Sequence, residues 1–228
     1  MQQEIKIIYE DSDFLVIEKP AGLEIYSEIK KEEPTLVDWL VEKYPAIKKV
    51  GPDPARPGIV HRLDKNASGL IVAAKIQAAF EHLIKQFKER QIKKEYAALV
   101  HGAVSKDEGT VEFPLTRAKS GRFAALPVGS GKGRTAVTEY EVIKRFKNFT
   151  LLKVRIKTGR THQIRVHLHA LGHSVVGDKL YKQKKIKKIL LDRLFLHASV
   201  LGFSNLEGEW MEFQSDLPDE LKNFLKKL

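Results

Sequence analysis

Residues 61–75 read HRLDKNASGLIVAAK, in which a turn-forming segment leads directly into an apolar run. Three residues favour a tight turn, because glycine tolerates a positive φ and short polar side chains bond their own backbone: Asn66, Ser68 and Gly69. The run from Leu70 to Ala74 then predicts a buried strand. Such a turn can hold Asp64 at the mouth of a sheet, two residues after Arg62. Taken alone, an Arg-x-Asp pattern is more often a turn aspartate beside a solvated arginine.

The composition indicates a globular protein with a polyanionic partner. Of the 228 residues, 43% are hydrophobic, which is enough for a substantial core. Forty lysines and arginines face 29 acidic residues, which gives a formal charge of +11. This excess attracts nucleic acid first and an anionic membrane surface second.

The chain contains no cysteine, so disulfides, thiolate metal sites and a cysteine nucleophile are excluded. The N-terminus has no apolar signal core, and no apolar run reaches the roughly 18 residues needed to span a bilayer. We therefore expect a cytoplasmic protein.

The hydrophobic pattern predicts an α+β protein with a mixed, largely antiparallel central sheet, flanked by helices. No linker interrupts the chain, so residues 1–228 are predicted to form a single domain. The predicted strands are 5–10, 14–18, 70–74, 93–100, 135–146, 149–157, 196–203 and 209–213. The predicted helices are 35–44, 76–90, 161–171 and 217–228, the third with Thr161 as N-cap and Gly172 as C′ residue.

A second candidate site lies on the strand at 93–100, where the sequence reads Lys94-Glu95-Tyr96. A strand tyrosine is ordinarily a cross-strand packing residue. Its functional alternative is a ring that stacks on a base, with a phenol placed for proton transfer.

A third candidate is the segment KTGRTHQIRVHL at residues 157–168. It places two arginines, Arg160 and Arg165, with other donors at a helix N-terminus, where free N–H groups favour anions. Arg165 shares a turn with Ile164 and Leu168, so its stem should be partly buried. A buried arginine requires a carboxylate partner.

These segments resemble the RluA family of RNA pseudouridine synthases. The family motif H-R-L-D-x-x-[TS]-S-G-L matches His61–Leu70, the K-x-Y element matches Lys94–Tyr96, and T-G-R-T-H-Q-I-R-V-H-L matches Thr158–Leu168. A further motif, L-G-H-x-[IV]-x-G-D, matches Leu171–Asp178, and an early K-P-x-G matches Lys19–Gly22. The match extends over nearly the whole chain, and several long motifs in the same order are far more specific than any one of them.

The resemblance implies a pseudouridine synthase-like fold with an active-site cleft. It also implies the conversion of uridines in structured RNA, ribosomal or transfer RNA, to pseudouridine. Asp64 would be the catalytic carboxylate, Arg165 its ion-pair partner, and Tyr96 the residue against the target base. Arg62 would enter the RNA where the uridine is extruded, since a stacked base is inaccessible. The reaction has no redox or metal step, so no cofactor is expected. We expect further RNA contacts from four residues: His61, Lys75, Arg160 and Gln163. We also expect the protein to be a monomer.

The sequence departs from the family pattern in two respects. Position 67 is Ala, where the family often has a Thr hydroxyl, so a hydrogen bond from that hydroxyl is in doubt. The chain begins directly with catalytic-domain motifs, so we expect no N-terminal S4-like domain of the kind that larger relatives carry. Substrate selection would then depend on loops and basic patches, including Lys182–Lys188, which is either a phosphate contact or a solvated face.

Two alternatives remain open from sequence alone. A metal hydrolase is suggested by His162, His167, His169 and His173 near Asp178. On a helix, however, His167 and His169 would point about 200° apart and could not share an ion. A non-catalytic RNA-binding protein would also be basic, but it has no use for a carboxylate facing phosphates.

Overall fold

The computed structural model describes residues 5–27, 33–182 and 191–228. The strands are β1 (Lys6–Glu10), β2 (Phe14–Lys19), β3 (Ser68–Ala74), β4 (Lys93–His101), β5 (Glu108–Val111), β6 (Leu115–Arg117), β7 (Phe123–Ala125), β8 (Thr138–Arg145), β9 (Phe149–Ile156), β10 (Leu196–Ser204) and β11 (Trp210–Gln214). The α-helices are α1 (Leu36–Lys43), α2 (Gln77–Glu89), α3 (Gln163–Ala170) and α4 (Asp219–Leu225), and a 3-10 helix spans Pro45–Lys49.

The chain folds into two compact units. Unit 1 comprises residues 1–93 and 198–215, and unit 2 comprises residues 94–197 and 216–228. Strands and helices are interspersed in both, and strand pairing is largely antiparallel, which confirms the predicted α+β class. In the described ranges, no helix is long and apolar enough to cross a bilayer.

Unit 1 is built on β1, β2 and β3 in consecutive antiparallel pairing, followed by β10, with β11 antiparallel to β10. Every residue of β3 is buried, as the apolar run after the turn predicts. Edge-to-face packing of Phe14 on Phe203 joins β2 to β10 in the core. Thr35, the first residue of the predicted helix 35–44, is the N-cap of α1 and forms a capping box with Asp38.

Unit 2 is an antiparallel sheet with the strand order β4-β9-β8-β5. The predicted strands 135–146 and 149–157 are present as β8 and β9, which pair antiparallel. Its core is apolar and includes four residues that are almost fully buried: Leu99, Val176, Phe195 and Leu221. A separate hairpin of β6 and β7 packs with Val166 of α3 and with Tyr181 in a second apolar cluster.

The terminal helix α4 is shorter than the predicted 217–228, and the start of α3 differs in its cap. Thr161 was expected to cap α3, but the cap position is His162, in the left-handed conformation at φ 56° and without a side-chain capping bond. Gln163, the first helical residue, provides the side chain that organises this end instead. The predicted helix end is confirmed, because Gly172 follows the C-cap Leu171 with φ +88°.

Candidate active site

The loop that carries Asp64 is held at both of its flanks. Leu63 is buried, and the backbone N–H of Ala67 donates to the Asp64 carbonyl over 3.0 Å. The Lys65 carbonyl accepts two bonds, from Gly22 N at 2.8 Å and from Lys19 Nζ at 3.1 Å. The Asp64 side chain therefore extends from a backbone that is held in place at the residues immediately before and after it.

Lys19 is the main internal support of this loop. Its side chain is fully buried, and its ammonium donates to the carbonyls of Pro20 at 2.7 Å and Leu23 at 2.9 Å as well as to Lys65. A buried ammonium is costly unless its donors are satisfied, so this geometry is strongly specified. The K-P-x-G motif thus folds around the lysine that anchors the Asp64 loop.

Arg62 is exposed and lies against Tyr26. Its guanidinium carbon is 5.4 Å from the Tyr26 ring centroid, and Nη1 donates to the phenol oxygen over 3.3 Å. Arg56 approaches the same ring at 5.7 Å. An arginine held by an aromatic ring at the surface keeps its charge available for a phosphate or a base.

Two predicted RNA-binding residues of unit 1 have local structural partners. His61 Nε2 accepts the backbone N–H of Val72 over 3.0 Å, and its ring stacks on Phe87. Lys75 forms an ion pair with Glu10 at 2.9 Å. His61 thereby fixes the loop to β3, and the charge of Lys75 is largely neutralised.

Tyr96 is buried on β4, where it pairs with Val154 of β9. Two residues earlier, burial lowers the pKa of the Lys94 ammonium to about 8. Glu95 points to the other face and pairs with Arg155 at 2.7 Å. The K-x-Y element thus places Lys94 and Tyr96 on one face of the strand.

Gln163 uses its whole amide group to shape the turn before α3. Its Oε1 accepts from Thr158 Oγ1 at 2.7 Å and from Arg160 N at 3.1 Å. Its Nε2 donates to the Val137 carbonyl at 2.9 Å and to Thr138 Oγ1 at 3.0 Å. Because the side chain is also buried, its role in this structure is to position the segment that carries Arg160.

Arg165 is buried and forms a two-pronged ion pair with Asp178. The Nε–Oδ2 distance is 2.6 Å and the Nη2–Oδ1 distance is 2.9 Å. Burial alone would raise the pKa of the Asp178 carboxyl, but the hydrogen bond and charge of Arg165, with the N–H groups of Tyr181 and Leu180, outweigh it. The pKa of Asp178 is therefore held below its ordinary value.

Tyr181 connects this ion pair to the start of α3. Its ring lies 5.1 Å from the Arg165 guanidinium carbon, and its hydroxyl is 2.9 Å from His162 Nδ1. The same hydroxyl accepts the backbone N–H of Phe123 on β7. The aromatic ring therefore links α3, the Asp178 turn and the β6–β7 hairpin in one network.

The predicted site residues fall into two groups. The structure brings Asp64, Arg62 and His61 together on one loop of unit 1, and Arg160, Gln163 and Arg165 together at α3 of unit 2. The expected pairing of Arg165 with Asp64 joins residues of different units and stays a prediction. Within unit 2, the arginine has Asp178 as a carboxylate partner.

The histidines of the metal alternative bind different partners. His167 contacts Thr138 Oγ1 and the Phe113 carbonyl, His169 contacts Ser174 Oγ, and His173 contacts the His101 carbonyl. Across residues 5–27, 33–182 and 191–228, no three His, Asp or Glu side chains form a metal-ligand cluster. In the Lys182–Lys188 patch, all residues after Lys182 lie outside the described residues.

Sequence reasoning missed the supporting roles of Asp178, Tyr181 and Lys19. Asp178 ends the motif at Leu171–Asp178, but the sequence suggested only a metal-ligand role for it. The available signal for Lys19 was its place at the end of a strand whose first four residues, Phe14–Ile17, are apolar, and in the structure those four are buried.

Comparisons with known proteins agree with the motifs. The profile of the family described as RNA pseudouridylate synthase matches residues 13–170. An "Uncharacterized RNA pseudouridine synthase YlyB" of Bacillus subtilis is 38% identical over 226 residues, which cover 99% of this chain and 73% of that protein. A "Ribosomal large subunit pseudouridine synthase D" of Zymomonas mobilis is 37% identical, over 98% of this chain and 73% of that protein.

A solved structure shares the fold. "Human RNA Pseudouridylate Synthase Domain Containing 1" superposes with a TM-score of 0.78 at 26% identity, over 94% of this chain and 84% of that one.

Proposed function

Because this chain belongs to the RNA pseudouridylate synthase family, we propose that it isomerises specific uridines of large-subunit ribosomal RNA, with Asp64 as the catalytic carboxylate. It is an RNA pseudouridine synthase, an isomerase, rather than a metal hydrolase or a non-catalytic RNA-binding protein. The ribosomal substrate is supported by relatives named for the large subunit, from Zymomonas mobilis and Pasteurella multocida.

The chemistry rearranges one nucleotide without any net change of atoms. The bond between C1′ and N1 of uridine breaks, the base turns, and a bond from C1′ to C5 forms. The hydrogen on C5 leaves to solvent, and N1 gains a proton. The enzyme must therefore hold an ionised carboxylate at the sugar, retain the detached base and remove the C5 proton.

The anchored loop is the observation that supports Asp64 in this role. Its neighbour Lys65 is fixed through its carbonyl by Lys19 and Gly22, and Leu63 is buried. A catalytic group must be held within a fraction of an ångström of its productive position. Such rigidity exceeds what an ordinary turn aspartate needs.

Arg62 is the residue we propose to occupy the RNA when the uridine is extruded. It is exposed, adjoins Asp64 on the same loop and rests on the Tyr26 ring. Extrusion costs a few kcal/mol of stacking, which an inserted guanidinium can partly offset by stacking on the neighbouring bases.

Tyr96 and Arg165 complete the proposed machinery. The phenol of Tyr96 would remove the C5 proton, and its ring would lie against the base. The guanidinium of Arg165, oriented by Asp178, would keep the catalytic carboxylate ionised. His61 and Gln163 contribute by positioning the two segments rather than by touching RNA.

The proposal is tested by tritium release from RNA labelled at C5 of uridine. Large-subunit ribosomal RNA transcripts and a transfer RNA pool are assayed separately, with wild type, Asp64→Asn and the matched control Asp192→Asn, which changes an exposed aspartate. We expect release from ribosomal RNA by wild type and by Asp192→Asn, and none by Asp64→Asn. The Asp64→Asn variant should still bind RNA in a filter assay, because no cation is lost.

Each other result contradicts a stated part of the proposal. Turnover by Asp64→Asn within tenfold of wild type would remove Asp64 from its role. Tritium release from transfer RNA alone would show that the substrate is transfer RNA and not ribosomal RNA.

A further inference from the structure

Unit 2 contains a cavity of about 390 Å³ that no residue proposed for the chemistry fills. Three arginines line it, with exposed glycine backbone and one aromatic side chain between them. They come from three segments that are distant in the sequence: Arg117 of β6, Arg134 of the segment before β8, and Arg160 of the turn before α3.

Hydrogen bonds that involve the backbone hold the arginines in place. Arg117 Nε donates to the Gly121 carbonyl and Arg160 Nε to the Thr135 carbonyl, both over 3.2 Å. Arg134 is fixed through its main chain, which exchanges two hydrogen bonds with Leu115. The guanidinium groups of Arg117 and Arg160 therefore have defined positions, and Arg134 extends from a fixed backbone.

Among the described residues, no carboxylate neutralises this group. In the part of the chain that the structure describes, none of the three arginines lies within ion-pair distance of an Asp or Glu, and no acidic residue lines the cavity. By contrast, Arg155, Arg145 and Arg165 of the same unit all have acidic partners. Three uncompensated cations around one concave surface attract a polyanion strongly.

The remaining walls suit a nucleotide rather than a bare ion. A Cβ at Gly159 would meet nothing closer than Lys94 Nζ at 3.9 Å, so the backbone there is open to close approach. Phe123 contributes an apolar wall next to the arginines. A cationic rim with an aromatic wall is the combination that single-stranded RNA uses, phosphate on the cations and base or ribose on the ring.

We propose that this cavity binds a backbone phosphodiester of the substrate RNA, with Arg117, Arg134 and Arg160 as its ligands. The inference rests on the proposed function only in taking ribosomal RNA as the polymer. It assigns the β6–β7 hairpin, which contributes none of the residues proposed for the isomerisation, a role in holding the RNA strand.

The cavity also has a defined relation to the reaction within unit 2. Phe123 N donates to the Tyr181 hydroxyl, and Tyr181 lies against Arg165. An RNA phosphate that orders the hairpin therefore also orders the aromatic ring beside the arginine proposed for catalysis.

The experiment measures RNA affinity against salt for the full-length chain, with a large-subunit ribosomal RNA transcript as the probe. The variants are Arg117→Ala, Arg134→Ala, their double variant, and the charge-preserving Arg117→Lys and Arg134→Lys. Lys147→Ala is the matched control, because Lys147 is an exposed cation of the same unit at the β8–β9 turn.

One phosphate contact is worth about fivefold in affinity at 0.1 M salt and about 0.7 in the slope of log affinity against log salt. We expect the double variant to lose at least fivefold in affinity and about 0.7 in slope. The lysine variants should keep the slope of wild type, and Lys147→Ala should match wild type in both quantities. Circular dichroism melting should be unchanged in all of them.

Three outcomes would overturn the proposal. One is a double variant that binds RNA as Lys147→Ala does. Another is a lysine variant that loses as much RNA affinity as its alanine counterpart, because the arginine would then have a structural role and would not bind a phosphate. The third is release of RNA from wild type by sub-millimolar inorganic phosphate or uridine monophosphate, which would assign the cavity to a small free phosphate.

Failure of the proposed function is separable from failure of this site. Wild type that releases tritium while the double variant binds normally would reject the cavity and keep the enzyme's assignment. Wild type that binds ribosomal RNA through the cavity but releases tritium only from transfer RNA would reject the substrate class and keep the site.

Discussion

Arg165 illustrates how a single side chain can be identified in the sequence while one of its partners is missed. The pattern of apolar neighbours predicts that it is buried and needs a carboxylate partner. Within unit 2 it has such a partner in Asp178, thirteen positions later on a turn after α3. Periodicity reports which face of a helix is buried, but it contains no information on which loop folds back over it.

We expect Asp178→Asn to destabilise the protein by about 3–5 kcal/mol, because it leaves a buried guanidinium without its two-pronged partner. Turnover should fall as well, since the orientation of Arg165 would be lost. Urea unfolding and tritium release measure the two effects. Glu95→Gln, which breaks the ion pair of a buried carboxylate with the half-exposed Arg155, is the control and should cost less than Asp178→Asn.

The same ion pair predicts how stability depends on pH. The pKa of Asp178 is lower in the folded protein than in the unfolded chain, so the unfolded chain takes up the proton first. The stabilisation is complete above the unfolded pKa, near 4, and disappears as the pH falls through the lower folded value. Unfolding experiments between pH 5 and pH 2 should show this loss in wild type and a smaller loss in Asp178→Asn.

At the scale of elements, the pattern of the sequence was sufficient for most of the sheet. Alternation and apolar runs predict β1, β2, β3, β8 and β9. Burial is extensive in β2, β3 and β9, whereas β1 and β8 are mostly half-buried or exposed. The predicted start of α3 was wrong, because Thr161 precedes a helical pattern and threonine is a common N-cap residue. The actual turn depends on the amide of Gln163, which reaches Val137 and Thr138, residues 25 or more positions away.

Gly69 at the start of β3 has a stricter requirement than the turn alone imposes. Its φ is +114°, and a Cβ there would lie 2.2 Å from the Ala198 carbonyl oxygen of β10. Gly69→Ala should cost at least about 3 kcal/mol, because backbone strain and a clash with a neighbouring strand add together. Gly208→Ala, at φ +84° with nothing within 4 Å, should cost only about 1–2 kcal/mol.

Urea unfolding of the two alanine variants separates the contributions. Equal losses would show that the approach of β10 to position 69 is looser than the distance implies. The sequence identified Gly69 as a turn glycine, but the close contact arises from a strand that lies about 130 residues later in the chain and could not be predicted from local pattern.

For the whole molecule, the single domain expected from the sequence stays a prediction. The chain passes between the two units three times, and two of those passages fall inside strands, between Lys93 and Lys94 in β4 and between His197 and Ala198 in β10. Separable domains are normally joined by exposed linkers instead. We expect one cooperative thermal transition with equal calorimetric and van't Hoff enthalpies, and two resolved transitions would contradict it.

The fully buried ammonium of Lys19 has a consequence for the conditions under which the enzyme works. Its bonds to the carbonyls of Pro20, Leu23 and Lys65 reproduce the coordination that a desolvated potassium or sodium ion would receive from a peptide cage. Here the cation is the ammonium of Lys19, which is covalently part of the chain, so it cannot dissociate or exchange with ions in solution. The loop that carries Asp64 should accordingly keep its shape whichever monovalent salt surrounds the protein, while RNA binding at the surface responds to every change in ionic strength.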